Sequence, residues 1–135
     1  MQNGYGMLYY SFVPLVSIRY KTSVSERDLT NLLPAISDKV AAQLTCELHE
    51  DELDGTLLIV TPEMVKIRFE RALALDTRMK DVHVEVEARR FQMRMLQLAT
   101  YAPDLKNTLL PLLPEGTSLS IWYKLCAAGW SAGRA

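Results

Sequence analysis

Polar and apolar residues alternate over residues 14–20, with Pro14, Val16, Ile18 and Tyr20 on one side and Leu15, Ser17 and Arg19 on the other. That period of two predicts a strand, and a proline fits its first position, where no ladder donor is needed. Leu29, Leu32, Leu33, Ile36, Val40, Ala41 and Leu44 then recur at helical spacing. Ser25 followed three residues later by Asp28 approximates a capping box and sets the start of that helix. Pro34 falls inside it and should bend it, because a proline removes one backbone hydrogen bond. The periodicity nevertheless continues on both sides.

Residues 47–54 are acidic and read as a solvated connector, and 56–60 is a short apolar run read as a buried strand. Thr61-Pro62-Glu63 carries the signature of a helix start, and the helix is expected to run to about Asp76. The alternation across 64–69 fits a strand as well. Residues 82–88 alternate most cleanly, valines on one side and His83, Glu85 and Glu87 on the other. A second helical region over 90–113, broken near Pro103, leads to a last strand over 119–125 with Leu119, Ile121, Tyr123 and Leu125 towards the core.

The order is β-α-β, an ambiguous segment, then β-α-β. A faint echo accompanies it: Asp28-Leu29-Thr30-Asn31-Leu32-Leu33-Pro34 resembles Asp104-Leu105-Lys106-Asn107-Thr108-Leu109-Leu110-Pro111 with one residue inserted. The expected architecture is therefore α+β, two similar halves forming a four-stranded sheet with two helices on one face. The uncovered face would carry Arg19, His83, Glu85, Glu87, Ser120, Trp122 and Lys124. Such a face is either a solvated surface with cross-strand charge pairs or the inward-looking wall of an oligomer.

Length and composition narrow the classes. A chain of 135 residues, 49% hydrophobic and 23% charged, is one domain with a real core. Fifteen basic residues against sixteen acidic ones give a net charge of −1, which offers no basic stripe for nucleic acid and no polybasic patch for a membrane surface. The first twelve residues lack the basic and apolar regions of a signal peptide. Cys46 and Cys126 are isolated from each other, as in a cytoplasmic protein with free thiols, and Cys126 among apolar neighbours reads as a small buried hydrophobe rather than a nucleophile. His49 and His83 are too few and too far apart for a zinc site, so no metal is expected.

The opening Pro14-Leu15-Val16-Ser17-Ile18-Arg19, followed by a long amphipathic helix, resembles the start of the tautomerase superfamily. The end, Ser120-Ile121-Trp122-Tyr123-Lys124-Leu125-Cys126-Ala127-Ala128-Gly129-Trp130, is similar to the last strand and tail of that superfamily's macrophage migration inhibitory factor branch. Val84-Glu85-Val86 leading into Arg89 and Arg90 looks like the third strand of small bacterial tautomerase-like proteins. Residues 61–80 do not match the family's usual short connection. The resemblance implies a homotrimer and cofactor-free chemistry, in which an amino-terminal proline shuttles a proton across an enol–keto pair of a small 2-oxo or enol acid. Carried onto this chain, Pro14 would be the base, Arg19, Arg89 and Arg90 the candidates for holding a substrate carboxylate, and Tyr123 or Trp122 the pocket lining.

The chemistry meets an obstacle at residue 13. Pro14 follows Val13, so its nitrogen is a tertiary amide with no basic lone pair. One account takes residues 1–13 as an extension from a misassigned start: translation begins at a GTG codon for Val13, and loss of the initiator methionine leaves 14–135 as the domain. The other takes the extension as genuine and the protein as a non-catalytic oligomeric module that binds a small molecule or a protein. A dimeric ferredoxin-like regulatory module is a third reading.

Overall fold

The computed structural model describes residues 13–52, 55–73, 76 and 78–127. Its main elements are strand β1 (Leu15–Tyr20), helix α1 (Glu26–Leu44), the short strands β2 (Cys46–Glu47) and β3 (Leu57–Leu58), strands β4 (Lys66–Arg71) and β5 (Val82–Arg89), helix α2 (Gln92–Leu109) and strand β6 (Leu119–Cys126). One-turn 3-10 helices lie at Pro62–Met64 and Leu110–Leu112. The main sheet runs in the order β4-β1-β5-β6. β4 is parallel to β1, β6 is parallel to β5, and β1 meets β5 antiparallel. Two β-α-β units are thus joined back to back along the β1–β5 seam; two such units were expected, but the strand that closes the first is β4, not 56–60.

The seam is where the core begins. Val16 and Ile18 of β1 and Val82, Val84, Val86 and Ala88 of β5 are fully buried, against Leu32, Ile36, Val40 and Leu44 of α1 and Leu105 and Leu109 of α2. Each such side chain contributes roughly 1.5–3 kcal/mol by leaving water. α1 starts where the sequence placed it: the Ser25 hydroxyl accepts the Asp28 amide hydrogen at 3.2 Å. Pro34 is exposed and the helix runs through it, held from below by Leu32 and Ile36.

Three expectations are corrected. Residues 61–73 are not helical beyond one turn. Thr61-Pro62-Glu63 does initiate a turn, but only the 3-10 turn Pro62–Met64 forms. The chain then extends, because β1 offers a free parallel edge: the Lys66 amide donates to the Pro14 carbonyl at 3.0 Å and that of Ala72 to Tyr20 at 2.7 Å. Helix signals over one turn lose to a six-residue ladder. Second, 56–60 is no buried strand of the main sheet. Only Leu57–Leu58 pairs, with Cys46–Glu47, and both Leu57 and Ile59 are 56% exposed. Third, α2 is unbroken at Pro103, which is exposed while Tyr101 and Leu105 on either side of it pack inward.

Arg94 is the one charged side chain among the buried residues described, at 0% exposure. Its Nε and Nη2 donate to the carbonyl of Leu44, the last residue of α1, at 3.0 and 2.8 Å, and Nη1 donates to the carbonyl of Arg89, the last residue of β5, at 2.8 Å. The terminal carbonyls of a helix lack intrahelical donors and carry its negative dipole end, so a cation there satisfies both needs. The guanidinium also lies 5.0 Å from the Phe91 ring centroid. Its pKa is drawn down by burial, with Cys46 and Tyr101 acting the other way.

Asp81 and Ser118 knit the starts of β5 and β6. The Asp81 amide donates to the Ser118 hydroxyl at 2.8 Å and the Ser118 amide to the Asp81 carboxylate at 2.9 Å. The amide of Ser118 above all, with its hydroxyl assisting, holds the Asp81 carboxyl below its ordinary pKa.

Two outcomes are expected. Arg94→Ala strands the buried Leu44 carbonyl, at about 1–3 kcal/mol, and removes the donor to the partly buried Arg89 carbonyl, and Arg94→Lys does not restore the loss because an ammonium lacks the planar fork that reaches both; urea unfolding measures both. Because the Asp81 pKa is depressed on folding, its contribution is present above the unfolded carboxyl value near 3.9 and disappears as pH falls through the folded value. Asp81→Asn should therefore flatten the acid limb of stability against pH below about 4 and narrow its gap to wild type there.

Candidate functional site

The antiparallel seam decides which candidate residues meet. Leu15 stands opposite Glu87, so continuing the register sets Pro14 and Val13 against Ala88 and Arg89. Pro14 is buried at this end of the sheet, with its carbonyl tied to Lys66. Arg89 ends β5, Arg90 follows it exposed, and the Arg90 amide donates to the Cys126 carbonyl at 2.7 Å. The Arg89 guanidinium lies 5.2 Å from the Phe91 ring centroid, and both Arg89 and Arg94 stand over that ring. Pro14, Arg89 and Arg90 thus gather at one end of the sheet.

Arg19 does not join them. It lies five residues along β1 from Pro14, about 17 Å at roughly 3.3 Å per residue, and pairs with Glu70 at 3.4 Å. That pair is half exposed on both sides and contributes well under 1 kcal/mol. Around it lies the open face of the sheet. A cavity of about 130 Å³ is lined by Ser17, Arg19, Arg68, Glu70, His83, Glu85 and Glu87. Arg68 Nε donates to the Ser17 hydroxyl at 3.0 Å. His83 Nδ1 lies 2.7 Å from the Ser120 hydroxyl, and its Nε2 lies 3.5 Å from Glu85.

The two aromatic candidates are on opposite faces of β6. Trp122 is on the open face, 67% exposed, with its ring edge-to-face with His83 at 6.1 Å. Tyr123 is under the helices, where its hydroxyl donates to Gln43 Oε1. Gln43 Nε2 in turn donates to the Tyr101 carbonyl at 3.0 Å and to Asp104 at 3.2 Å, so one amide ties α1, α2 and β6. Burial raises the Tyr123 pKa, with Asp104 adding to the effect, and the phenol stays protonated.

Besides Gln43, four groups here were not singled out by the sequence. Arg68 and Glu70 joined the open face only because 66–71 is a strand. Glu52, in the acidic connector, reaches across to cap α2: its Oε2 accepts the Gln92 amide hydrogen at 2.9 Å and its Oε1 that of His49 at 2.8 Å. Slight desolvation alone would raise its pKa, but those two amides together hold it down. Arg94 did carry a signal, since stepping back seven residues from Tyr101 along the stripe through Leu105 and Leu109 lands on it.

Both thiols are free and half-buried. Burial raises the pKa of each; Glu87 adds to the rise at Cys126, and Arg94 opposes it at Cys46. Among the described residues no group of three or more His, Cys, Asp or Glu side chains is arranged to hold a metal ion, and no helix is long and apolar enough to cross a membrane.

Neither a family model nor a curated protein matches the sequence. Solved structures do. A structure described as a fused 4-OT wild-type symmetric trimer superposes with a TM-score of 0.58 at 15% identity, covering 85% of this chain and 87% of that one. A protein of unknown function from Vibrio cholerae O1 biovar eltor gives 0.54 at 14% identity, over 89% of this chain and 83% of that one. Leishmania major MIF2 gives 0.46 at 16% identity, over 86% and 90%. In this chain the fold is two parallel β-α-β units about an antiparallel seam, a tautomerase-like α+β fold shared with the first of these structures across most of both chains.

Proposed function

We propose that the chain, when its amino terminus is Pro14, is a cofactor-free tautomerase or isomerase acting on a small 2-oxo or enol acid. The observation that supports this most is the convergence of Pro14 with Arg89 and Arg90 at one end of the β1–β5 seam. A secondary amine removed from bulk water beside two cations has its charged form disfavoured, which leaves it free to accept a proton near neutrality. It would take the proton from the carbon next to the substrate carbonyl and deliver it to the oxygen of the resulting enolate, giving the enol, or run the same transfer in reverse. Arg89 or Arg90 would hold the substrate carboxylate, bidentately in the case of a planar fork, and limit its motion relative to the amine.

A homotrimer belongs to the same reading. It is supported by the symmetric-trimer assembly of the structural neighbour and by an open sheet face carrying both signs of charge. A cytoplasmic location belongs to it too, supported by the two free thiols. A second reading has its own observation. Val13 is only 6% exposed, so the residue acylating Pro14 is itself accommodated by the fold. A chain that keeps it would be an oligomeric binding module without proton-transfer activity.

Enol–keto exchange of phenylpyruvate, followed by proton NMR, separates the two. The chain beginning with a free Pro14 is expected to exceed the chain keeping residues 1–13 by about 100-fold or more, the ordinary scale of general base catalysis. Its rate should rise with pH as the ammonium form is depleted, and Arg89→Ala and Arg90→Ala should raise KM more than they lower kcat. Equal exchange by the two chains, with sedimentation showing the same assembly, would leave only the binding module.

A further inference from the structure

On the helix side of the sheet a second cavity, of about 300 Å³, opens between the end of α1, β2 and the first turns of α2. Its volume is at the small end of the range for ligand pockets. Tyr101 forms part of its wall and is 3% exposed. The Tyr101 ring packs on Tyr123 at 5.2 Å, but among the described residues nothing hydrogen-bonds its hydroxyl. A buried phenol without a partner is uncommon, because burial strips away the water that would otherwise serve it. The donor capacity of this hydroxyl is unused.

A second observation, independent of the first, concerns charge. Arg94 lies behind this wall, in electrostatic contact with both Cys46 and Tyr101. Its bonds go to the Leu44 and Arg89 carbonyls, and no carboxylate among the described residues pairs with it. Burial holds Cys46 and Tyr101 in their neutral forms, so neither neutralises the guanidinium. The inner end of the cavity therefore lies in the field of a buried cation, with the Tyr101 hydroxyl as its unused donor. Glu47, exposed, is the one acidic residue in the lining, and works against an anion passing it. The rest of the lining is mixed: Leu57 and Met93, 56% and 37% exposed, offer apolar surface, while Gln43, Thr45 and Gln97 are polar.

We propose that this cavity is a binding site for a small carboxylic acid with an apolar body, its carboxylate accepting the Tyr101 hydroxyl in the field of Arg94 and its body resting between Leu57 and Met93. The site is on the other side of the sheet from the open face, and it requires neither a free Pro14 nor catalysis.

Benzoate is the probe, with benzyl alcohol as its uncharged counterpart, and calorimetry and alkylation by N-ethylmaleimide are the measurements. Benzoate should slow alkylation of Cys46 and leave that of Cys126 unchanged, as read by peptide mass spectrometry of the same samples. Tyr101→Phe should weaken benzoate about tenfold, the loss of a hydrogen bond to a charged group, with its unfolding midpoint unchanged or raised. Benzyl alcohol should bind at least about tenfold more weakly than benzoate to the wild-type chain. Equal benzoate affinity for Tyr101→Phe and wild type overturns the proposal, as does absence of Cys46 protection at saturating benzoate. Binding lost in Arg89→Ala but kept in Tyr101→Phe moves the ligand to the sheet end and overturns it as well.

Discussion

One buried guanidinium joins parts of this molecule that are otherwise distant in sequence. Arg94 closes the carboxyl end of α1 at Leu44, fixes the end of β5 at Arg89 and belongs itself to the first turn of α2. A buried cation without a carboxylate is expensive unless dipoles replace its hydration. Here a helix end and a strand end supply the dipoles. The β1–β5 register brings Arg89 to the proline end, and Arg94 ties that end of β5 to the helices, with its charge behind the cavity that Tyr101 lines.

Much of the fold was legible because the core repeats at the periods of its elements. The valines of 82–88 and the leucine stripe of 29–44 each point one way, and both are buried as the pattern requires. The misreading at 61–76 has a definite cause. Thr61-Pro62-Glu63 is a local signal worth one turn, whereas the decision to extend at Lys66 comes from an edge fifty-one positions away, at Leu15. Local chemistry cannot see that edge. Pro103 shows the converse: a residue that breaks isolated helices is carried through by Tyr101 and Leu105, which bury on either side of it.

The site was legible only in part, for a related reason. Alternation placed Arg19 on the open face and Tyr123 towards the core, and both are there. It could not say that β1 and β5 run antiparallel, and that register alone decides that Arg89 rather than Arg19 stands at the proline end. Gln43 and Glu52 were invisible because each works through a contact across forty residues or more. Arg94 was hidden by its chemistry, since a charge on an apolar stripe reads as a lapse in the pattern.

The outer strand of the first unit has a meaning of its own. β4 borders the sheet, and four of its six residues, Lys66, Arg68, Glu70 and Arg71, are charged and exposed. A bare border of this kind is the usual template for uncontrolled strand addition, and charge is the usual deterrent. With Lys66, Arg68 and Glu70 on one face and Arg71 on the other, a strand that added here would bring its own side chains beside charge on both faces, which disfavours casual polymerisation.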